Sequence, residues 1–306
     1  MTVDQRINGQ LRIGTLIKGE HAANIIPFIA GHGFESYGLM FNKTLGGVDL
    51  GDLAREVVPL AEQRGAIISH LGVFGNPLLE DQEGEDCVAA FRTAIDKVRL
   101  FGSDLVSGFA GRVVDRPLDE SVPRFKAVFG ELARQAADQG VRLAFENCDT
   151  GGTWERGGKN CALFPLMWER LFNAVPGEHL GLQWEPCHQL VKLIDPIPQL
   201  RKWAPRVMSV HGKDATVAWD IVREYGVTGA KKFAWHRTPG FGDTNWADIV
   251  TILMQNNYRG VIDIEGYHDP VYRGPLELSS QVTALEYLKR CRGGSFHQNP
   301  PEWKKK

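Results

Sequence analysis

Residues 141–185 read VRLAFENCDTGGTWERGGKNCALFPLMWERLFNAVPGEHLGLQWE. Two short apolar runs bracket this stretch, Val141–Glu146 and Leu180–Glu185, and each closes on a glutamate. Both runs are apolar at consecutive positions, as strands buried on both faces of a parallel sheet are. Between them, Asn147–Ala162 is a Gly-rich connection.

The same kind of run recurs on either side. Upstream are Leu11–Ile17, Phe34–Phe41, Ala66–Leu71 and Asp104–Phe109; downstream are Arg206–His211 and Val261–Glu265. Stretches with helical period separate them, among them Leu50–Arg64, Asp86–Phe101, Asp119–Gln139 and Trp246–Asn257, and Glu277–Cys291 follows the last run. Gly65 and Gly140 stand just past two of these helices, where a left-handed residue is wanted. Eight strand–helix units without a low-complexity linker predict one α/β domain, a (β/α)8 TIM barrel over residues 1–292, followed by a polar tail at 293–306. A doubly wound open sheet is the competing reading of the same alternation. The two long connections, 147–162 and 212–243, follow strands five and seven, so they belong to the face where barrels carry their sites. The glycines of Thr150–Gly158 have no phosphate-binding pattern and read as lid flexibility.

The chain has 306 residues, 43% hydrophobic and 24% charged, with a formal net charge of -2. That balance carries no electrostatic footprint for nucleic acid or an anionic membrane. The polar N-terminus lacks a secretory h-region, and no apolar run is long enough to span a bilayer. Five scattered cysteines without a CxxC pair read as reduced thiols. A cytoplasmic protein is expected.

Chemistry collects at strand ends. Glu146, Glu185, His211 and Glu265 close runs five to eight, so a barrel brings them to one rim. Three carboxylates there repel one another, and a divalent cation relieves that repulsion. Three oxygens and one imidazole suit Mn2+ or Mg2+, with Co2+ and Zn2+ also open. For any single glutamate, a salt bridge to a neighbouring Lys or Arg is the alternative. His70 ends strand three and is a candidate pocket residue or a core histidine. Trp154 is assigned to the pocket and Trp184 to the core. Asp214 is a candidate to orient His211 or a sugar hydroxyl, or to cap a helix.

FEN at 145–147, WEPCH at 184–188, VHGKD at 210–214, HRTPGFGDTNW at 236–246 and IEGYHDP at 264–270 together resemble the xylose-isomerase-like TIM-barrel superfamily of sugar isomerases, epimerases and dehydratases. The resemblance covers nearly the whole chain. It implies one Mn2+-like ion on Glu146, Glu185, His211 and Glu265, and an acid/base pair in Glu146 and Glu265. It further implies that His188 faces the substrate, as an additional acid or base, or orients a metal ligand, and that His236 and Arg237 lie near substrate oxygens, with a salt-bridged loop as the alternative for these two. Where many relatives have Asp-Pro-x-His, this chain has Glu185-Pro186-Cys187-His188, which changes ligand reach.

The WEPCH spelling and the Gly-rich insert resemble a branch acting on 3-keto sugars and 3-keto glycosides, which includes large subunits of C-glycoside-cleaving enzymes. The implied activity is metal-dependent isomerisation or epimerisation of a keto sugar or keto glycoside, by proton abstraction through a metal-stabilised enediolate. Its alternatives are a lyase large subunit that needs a small partner for β-elimination, and a non-catalytic sugar-binding barrel. An endonuclease-like reading wants a basic groove, against the net charge. A small-molecule carbohydrate is the expected partner, with no nucleic acid and no membrane; a homo-oligomer or a small partner subunit is left open.

Overall fold

The closing of the sheet follows from the strand order. The computed structural model describes residues 11–266, 268–294 and 300, so most of the polar tail expected at 293–306 lies outside the described residues. Strands β1 (Arg12–Lys18), β2 (Ser36–Phe41), β3 (Ile67–Val73), β4 (Leu105–Gly108), β5 (Arg142–Glu146), β6 (Leu180–Trp184) and β7 (Val207–Gly212) pair in parallel, each with the next. Two further strands, β8 (Asp214–Val217) and β9 (Ala234–Arg237), form a separate antiparallel pair. Strand β10 (Val261–Ile264) then joins β7 on one side and β1 on the other, with Arg12 opposite Val261, and the barrel is closed. All eight expected strands are present, within two residues of their expected limits. The β8–β9 hairpin sits inside the connection at 212–243, which the sequence presented only as a long loop.

The helices are α1 (Ala22–Ile29), α2 (Leu50–Glu62), α3 (Gln82–Lys97), α4 (Ser121–Asp138), α5 (Pro165–Ala174), α6 (Cys187–Leu190), α7 (Pro196–Trp203), α8 (Trp219–Tyr225), α9 (Trp246–Gln255) and α10 (Glu277–Cys291). Side-chain caps start several of them. Asp49 accepts from the Asp52 N–H at 2.8 Å, Asp81 from Gly84 at 3.1 Å, and Asn245 from Asp248 at 3.1 Å. Gly65 and Gly140 have φ of 70° and 64°, the left-handed ends that their positions called for. Each long helix turns an apolar stripe to the barrel. On α4 the stripe is Phe125, Phe129, Leu132 and Ala136, and Phe129 meets Phe145 of β5 edge-on at 4.8 Å. No helix among the described residues is long and apolar enough to cross a membrane.

The barrel interior is polar as well as packed. Asp263 on β10 accepts from Ser36 at 2.5 Å and Ser69 at 2.6 Å, and burial still raises its carboxyl to about 6. His70 is fully buried beside it, with Nδ1 3.0 Å from Ser69 Oγ and Nε2 3.1 Å from the Gln183 amide nitrogen. Below this layer the strand N-termini are fastened by Glu35. Its carboxylate accepts from Arg292 at 2.6 and 3.0 Å and from the Ile13 N–H at 2.9 Å, tying α10 to β1 and β2. The opposite end, where the strands run out, is free for chemistry.

Candidate metal centre

Four strand ends deliver four donors. Glu146 is the last residue of β5, Glu185 follows β6, His211 lies in β7 and Glu265 follows β10. All are at most 5% exposed, and one donor atom from each lies within 4.8 Å of the others. His211 Nδ1 is 3.1 Å from Glu146 Oε1 and 3.2 Å from Glu265 Oε2. Donors held at right angles about 2.1 Å from one small divalent ion stand roughly 3.0 Å apart. Glu185 Oε1 and Glu265 Oε2 are buried and make no aligned hydrogen bond among the described residues, although imidazole nitrogens of His188 and His211 lie 2.9 and 3.2 Å away. Buried carboxylate oxygens left this way, in a hard donor set, fit a divalent cation.

Without an ion, protein cations offset part of the charge. Lys213 is 2% exposed and donates to Glu265 Oε1 at 2.7 Å. Burial alone would raise the Glu265 carboxyl, but Lys213 and His211 hold it well below the usual range. Burial and the neighbouring Glu185 charge push Glu146 up to about 7. Burial disfavours the His211 imidazolium, yet Glu146 and Glu265 outweigh it and raise His211 to about 10. The centre thus attracts positive charge even onto a buried imidazole. The expected alternative of a salt bridge is realised in one place, Glu265 with Lys213, and it leaves the second Glu265 oxygen to the cluster.

The backbone around these ligands is pinned. The Asn147 side chain accepts from the Glu185 N–H and donates to the Glu185 carbonyl, both at 2.8 Å, bridging the ends of β5 and β6. Asn160 donates to the carbonyls of Glu146 and Cys148 at 2.8 Å. Arg112, fully buried, sends its guanidinium to the carbonyls of Thr153, Trp154, Gly157 and Arg116. The Gly-rich insert, read from sequence as lid flexibility, is therefore a loop tied down by a buried cation; its glycines serve tight backbone approaches, such as Gly158 (φ 73°) against the Asp149 carbonyl.

A cavity of about 630 Å³ opens above the donors. Glu146, His188, His211, His236 and Glu265 line it, as expected, together with Lys213, His268, Cys148 and Asp149. His188 is 2% exposed and lies between two carboxylates, with Nε2 2.9 Å from Glu185 Oε1 and Nδ1 3.4 Å from Asp149 Oδ1. Neither ring nitrogen makes an aligned hydrogen bond among the described residues, so the ring stands at ion-pair distance from a carboxylate on either side. Its ring meets His236 edge-on at 4.8 Å, and His236 meets His268 at 5.8 Å.

The remaining expected residues are placed elsewhere. His70 is in the barrel core beneath His211, ring centroids 6.2 Å apart, and does not line the cavity. Trp154 stacks on Phe164 at 6.1 Å and lies under Arg170, outside the cavity. Trp184 is core, as expected, with its N–H on Gln199. Asp214 neither touches His211 nor caps a helix; it accepts from the N–H groups of Ala215, Gly240 and Thr244 and from Trp246, latching the seventh connection. Arg237 alternates with His236 along β9 and points away, paired with Asp269 at 3.0 Å. Lys213 was legible as the K of VHGKD; the signal was its place two residues after a ligand. Cys148 and Asp149 carried none beyond adjacency to Glu146.

Comparison with known proteins gives a consistent result. The model of the family described as xylose isomerase-like TIM barrel matches residues 26–291. Inosose dehydratase from Clostridium tetani is 31% identical over 113 residues, which is 35% of this chain and 37% of that protein. Inosose dehydratase from Bacillus thuringiensis is 27% identical over 128 residues, 41% of this chain and 42% of that protein. The chain thus matches well under half the length of these relatives. Among solved structures, 3-keto-D-glucoside 4-epimerase from E. coli superposes with a TM-score of 0.69 at 15% identity, over 92% of this chain and 100% of that one. An L-ribulose 3-epimerase superposes with a TM-score of 0.67 at 16% identity, over 92% and 96%. At such identities the likeness shows the fold.

Proposed function

The chain belongs to the xylose isomerase-like TIM-barrel family, and from that premise we propose that it is a divalent-metal-dependent epimerase or isomerase of a keto sugar or keto glycoside. One observation carries the reading: three carboxylates and an imidazole from the ends of β5, β6, β7 and β10 converge within 4.8 Å beneath a cavity. Glu146, Glu185, His211 and Glu265 are the residues that would hold the ion, Mn2+ first, with Mg2+, Co2+ or Zn2+ as alternatives. Bound there, a divalent ion supplies Lewis-acid stabilisation of negative charge on a carbonyl oxygen and its neighbouring hydroxyl.

The chain's own groups do the rest. Glu146 and Glu265 both line the cavity, on two sides of His211. One removes the proton α to the carbonyl and the other returns a proton. Return to the opposite face of the same carbon gives an epimer, and return to the adjacent carbon gives an isomer. Glu146 reaches the cavity from the end of β5, placed to accept that proton. Lys213 has one partner in Glu265 and further N–H groups at the cavity wall, where they orient a substrate oxygen. His188 and Asp149 hold Glu185 in place.

The test is deuterium uptake from heavy water into a panel of keto hexoses and 3-keto glucosides. The native protein should label the carbon next to the carbonyl. Glu146→Gln should lose at least about a hundredfold of that exchange with its circular dichroism unchanged. Full exchange in the variant would remove Glu146 from this role. Release of the attached group, instead of its retention, would replace epimerisation by elimination and bring forward the lyase reading.

A further inference from the structure

Beneath the donors, the bore of this barrel departs from the branched apolar filling that barrels usually have. Ser36, His70, Gln183 and Asp263 are fully buried there, and Ser69 nearly so. Their hydrogen bonds form one chain. The Gln183 amide nitrogen lies 3.1 Å from His70 Nε2, and His70 Nδ1 lies 3.0 Å from Ser69 Oγ. Ser69 and Ser36 then donate to the two Asp263 oxygens at 2.6 and 2.5 Å. The single Ser69 proton goes to Asp263, so His70 Nδ1 donates to Ser69 and Nε2 accepts from Gln183.

The chain spans the bore. In the strand order β3 stands four places from β7 in either direction, directly opposite it. From β3, His70 reaches Gln183 on β6 and Ser69 reaches Asp263 on β10, and β6 and β10 are the two strands that flank β7. Gln183 stands two residues before Glu185, and Asp263 two before Glu265. Residues two apart on a strand share a face, so each arm ends one layer below a donor. His211 lies between the arms, its ring centroid 6.2 Å from that of His70.

The local backbone is shaped for this contact. Pairing of β2 with β3 runs from Tyr37–Ile68 directly to Gly38–His70, which leaves Ser69 as the extra residue of a bulge. A regular strand would send one of two consecutive side chains outward; the bulge turns both Ser69 and His70 into the bore. Ser103 supports it by donating to the Ser69 carbonyl at 2.7 Å. A Cβ on Gly38 would collide with the His70 ring, and one on Gly14 with Ser36. A fully connected polar network of this kind rigidifies the groups that it joins.

We infer that His70 and Ser69 are positioning residues for the metal donors, forming a forked brace from β3 that holds Glu185 and Glu265 in place on either side of His211. This rests on the metal reading of the site given above.

The test is titration of the metal-depleted protein with Co2+, followed by its visible absorption, beside Mn2+ affinity from competition with a chelating dye. Ser69→Ala removes the hydroxyl that joins the two arms, with little change in volume. His70→Phe keeps a ring in the room left by Gly38 and removes both nitrogens. Each should weaken the ion by about 10–100-fold and shift the Co2+ bands. Asp263→Asn can keep the brace with its direction reversed. The introduced amide donates to Ser69, Ser69 to His70 Nδ1, and His70 Nε2 to Gln183 Oε1, which has no hydrogen-bond partner among the described residues. Its Co2+ spectrum should match that of the native protein. Native affinity and spectrum in Ser69→Ala and His70→Phe, even with a lowered melting temperature, would make the network a purely structural one and overturn the inference. A spectrum altered by Asp263→Asn alone would assign the effect to charge and overturn it as well. If His70→Phe does not fold, Ser69→Ala decides. Failure of the native protein to bind either ion is a different result: it removes the metal reading itself, and the brace then has no ion to serve.

Discussion

Asn147 shows how a cluster of candidate metal donors is held by a residue that does not belong to it. Its amide closes two hydrogen bonds on the Glu185 peptide, one in each direction, so the ends of β5 and β6 share one clamp. Glu185 reaches the cluster on a long side chain, which makes control of its backbone more consequential. Groups that orient ligands in this way are worth about 10–100-fold in metal affinity. Asn147→Ala should therefore weaken the ion by a factor in that range, read by competition with a chelating dye, while the fold survives. Unchanged affinity would mean that Glu185 is positioned by its own packing. At this scale the four converging donors were legible, because a polar residue closing a doubly apolar run has few structural uses. The residues around them were less so. Asp214 and Arg237 carry the same functional groups as site residues, but their partners come from loop backbone and Asp269, and nothing local in the sequence announces those partners.

The elements divide along the same line. The eight strands were readable since burial on both faces leaves an apolar run, and α2, α3, α4, α9 and α10 since each keeps one apolar stripe, whereas α8 buries none of its residues. The β8–β9 hairpin was not, for its strands have four residues each and mix Asp, Thr, His and Arg. The Gly-rich loop misled for a related reason. Its order comes from Arg112, some forty residues upstream, whose guanidinium serves four carbonyls. Glycine content signals permissive backbone, and a distant cation decides whether that backbone is fixed. Arg112→Met keeps the stem and removes the donors. It should cost about 2–4 kcal/mol of stability and speed amide exchange across residues 147–162, with little change in the barrel strands. Exchange that rises uniformly would show that Arg112 supports the whole fold and not this loop.

For the whole molecule, site and stability occupy opposite ends of the barrel. Glu35 joins β1, β2 and α10 at the end remote from the metal donors. Burial would raise its carboxyl, but Arg292, the Ile13 N–H and Lys289 together hold it below the usual value of 4.5. A carboxyl whose pKa is lower in the folded chain stabilises the fold above its unfolded pKa, and that contribution fades as pH falls through the folded one. Glu35→Gln should thus lower the melting temperature at pH 7, by the equivalent of about 1–3 kcal/mol, and the gap to the native protein should close as pH falls beneath the usual carboxylate range. Metal affinity should be unaffected. A gap that persists into acid would assign the loss to packing.

The measurement that bears most directly on the central claim is the metal content of the purified protein, by elemental mass spectrometry, beside a Glu146→Gln/Glu265→Gln double variant. About one divalent ion per chain in the native protein, lost from a double variant that still folds, is the expected result. No ion in either protein after reconstitution with Mn2+, Co2+ or Zn2+ would contradict it. The four converging donors would then be a buried ion-pair cluster, closed by Lys213 and His188, in a barrel that binds sugars without transforming them.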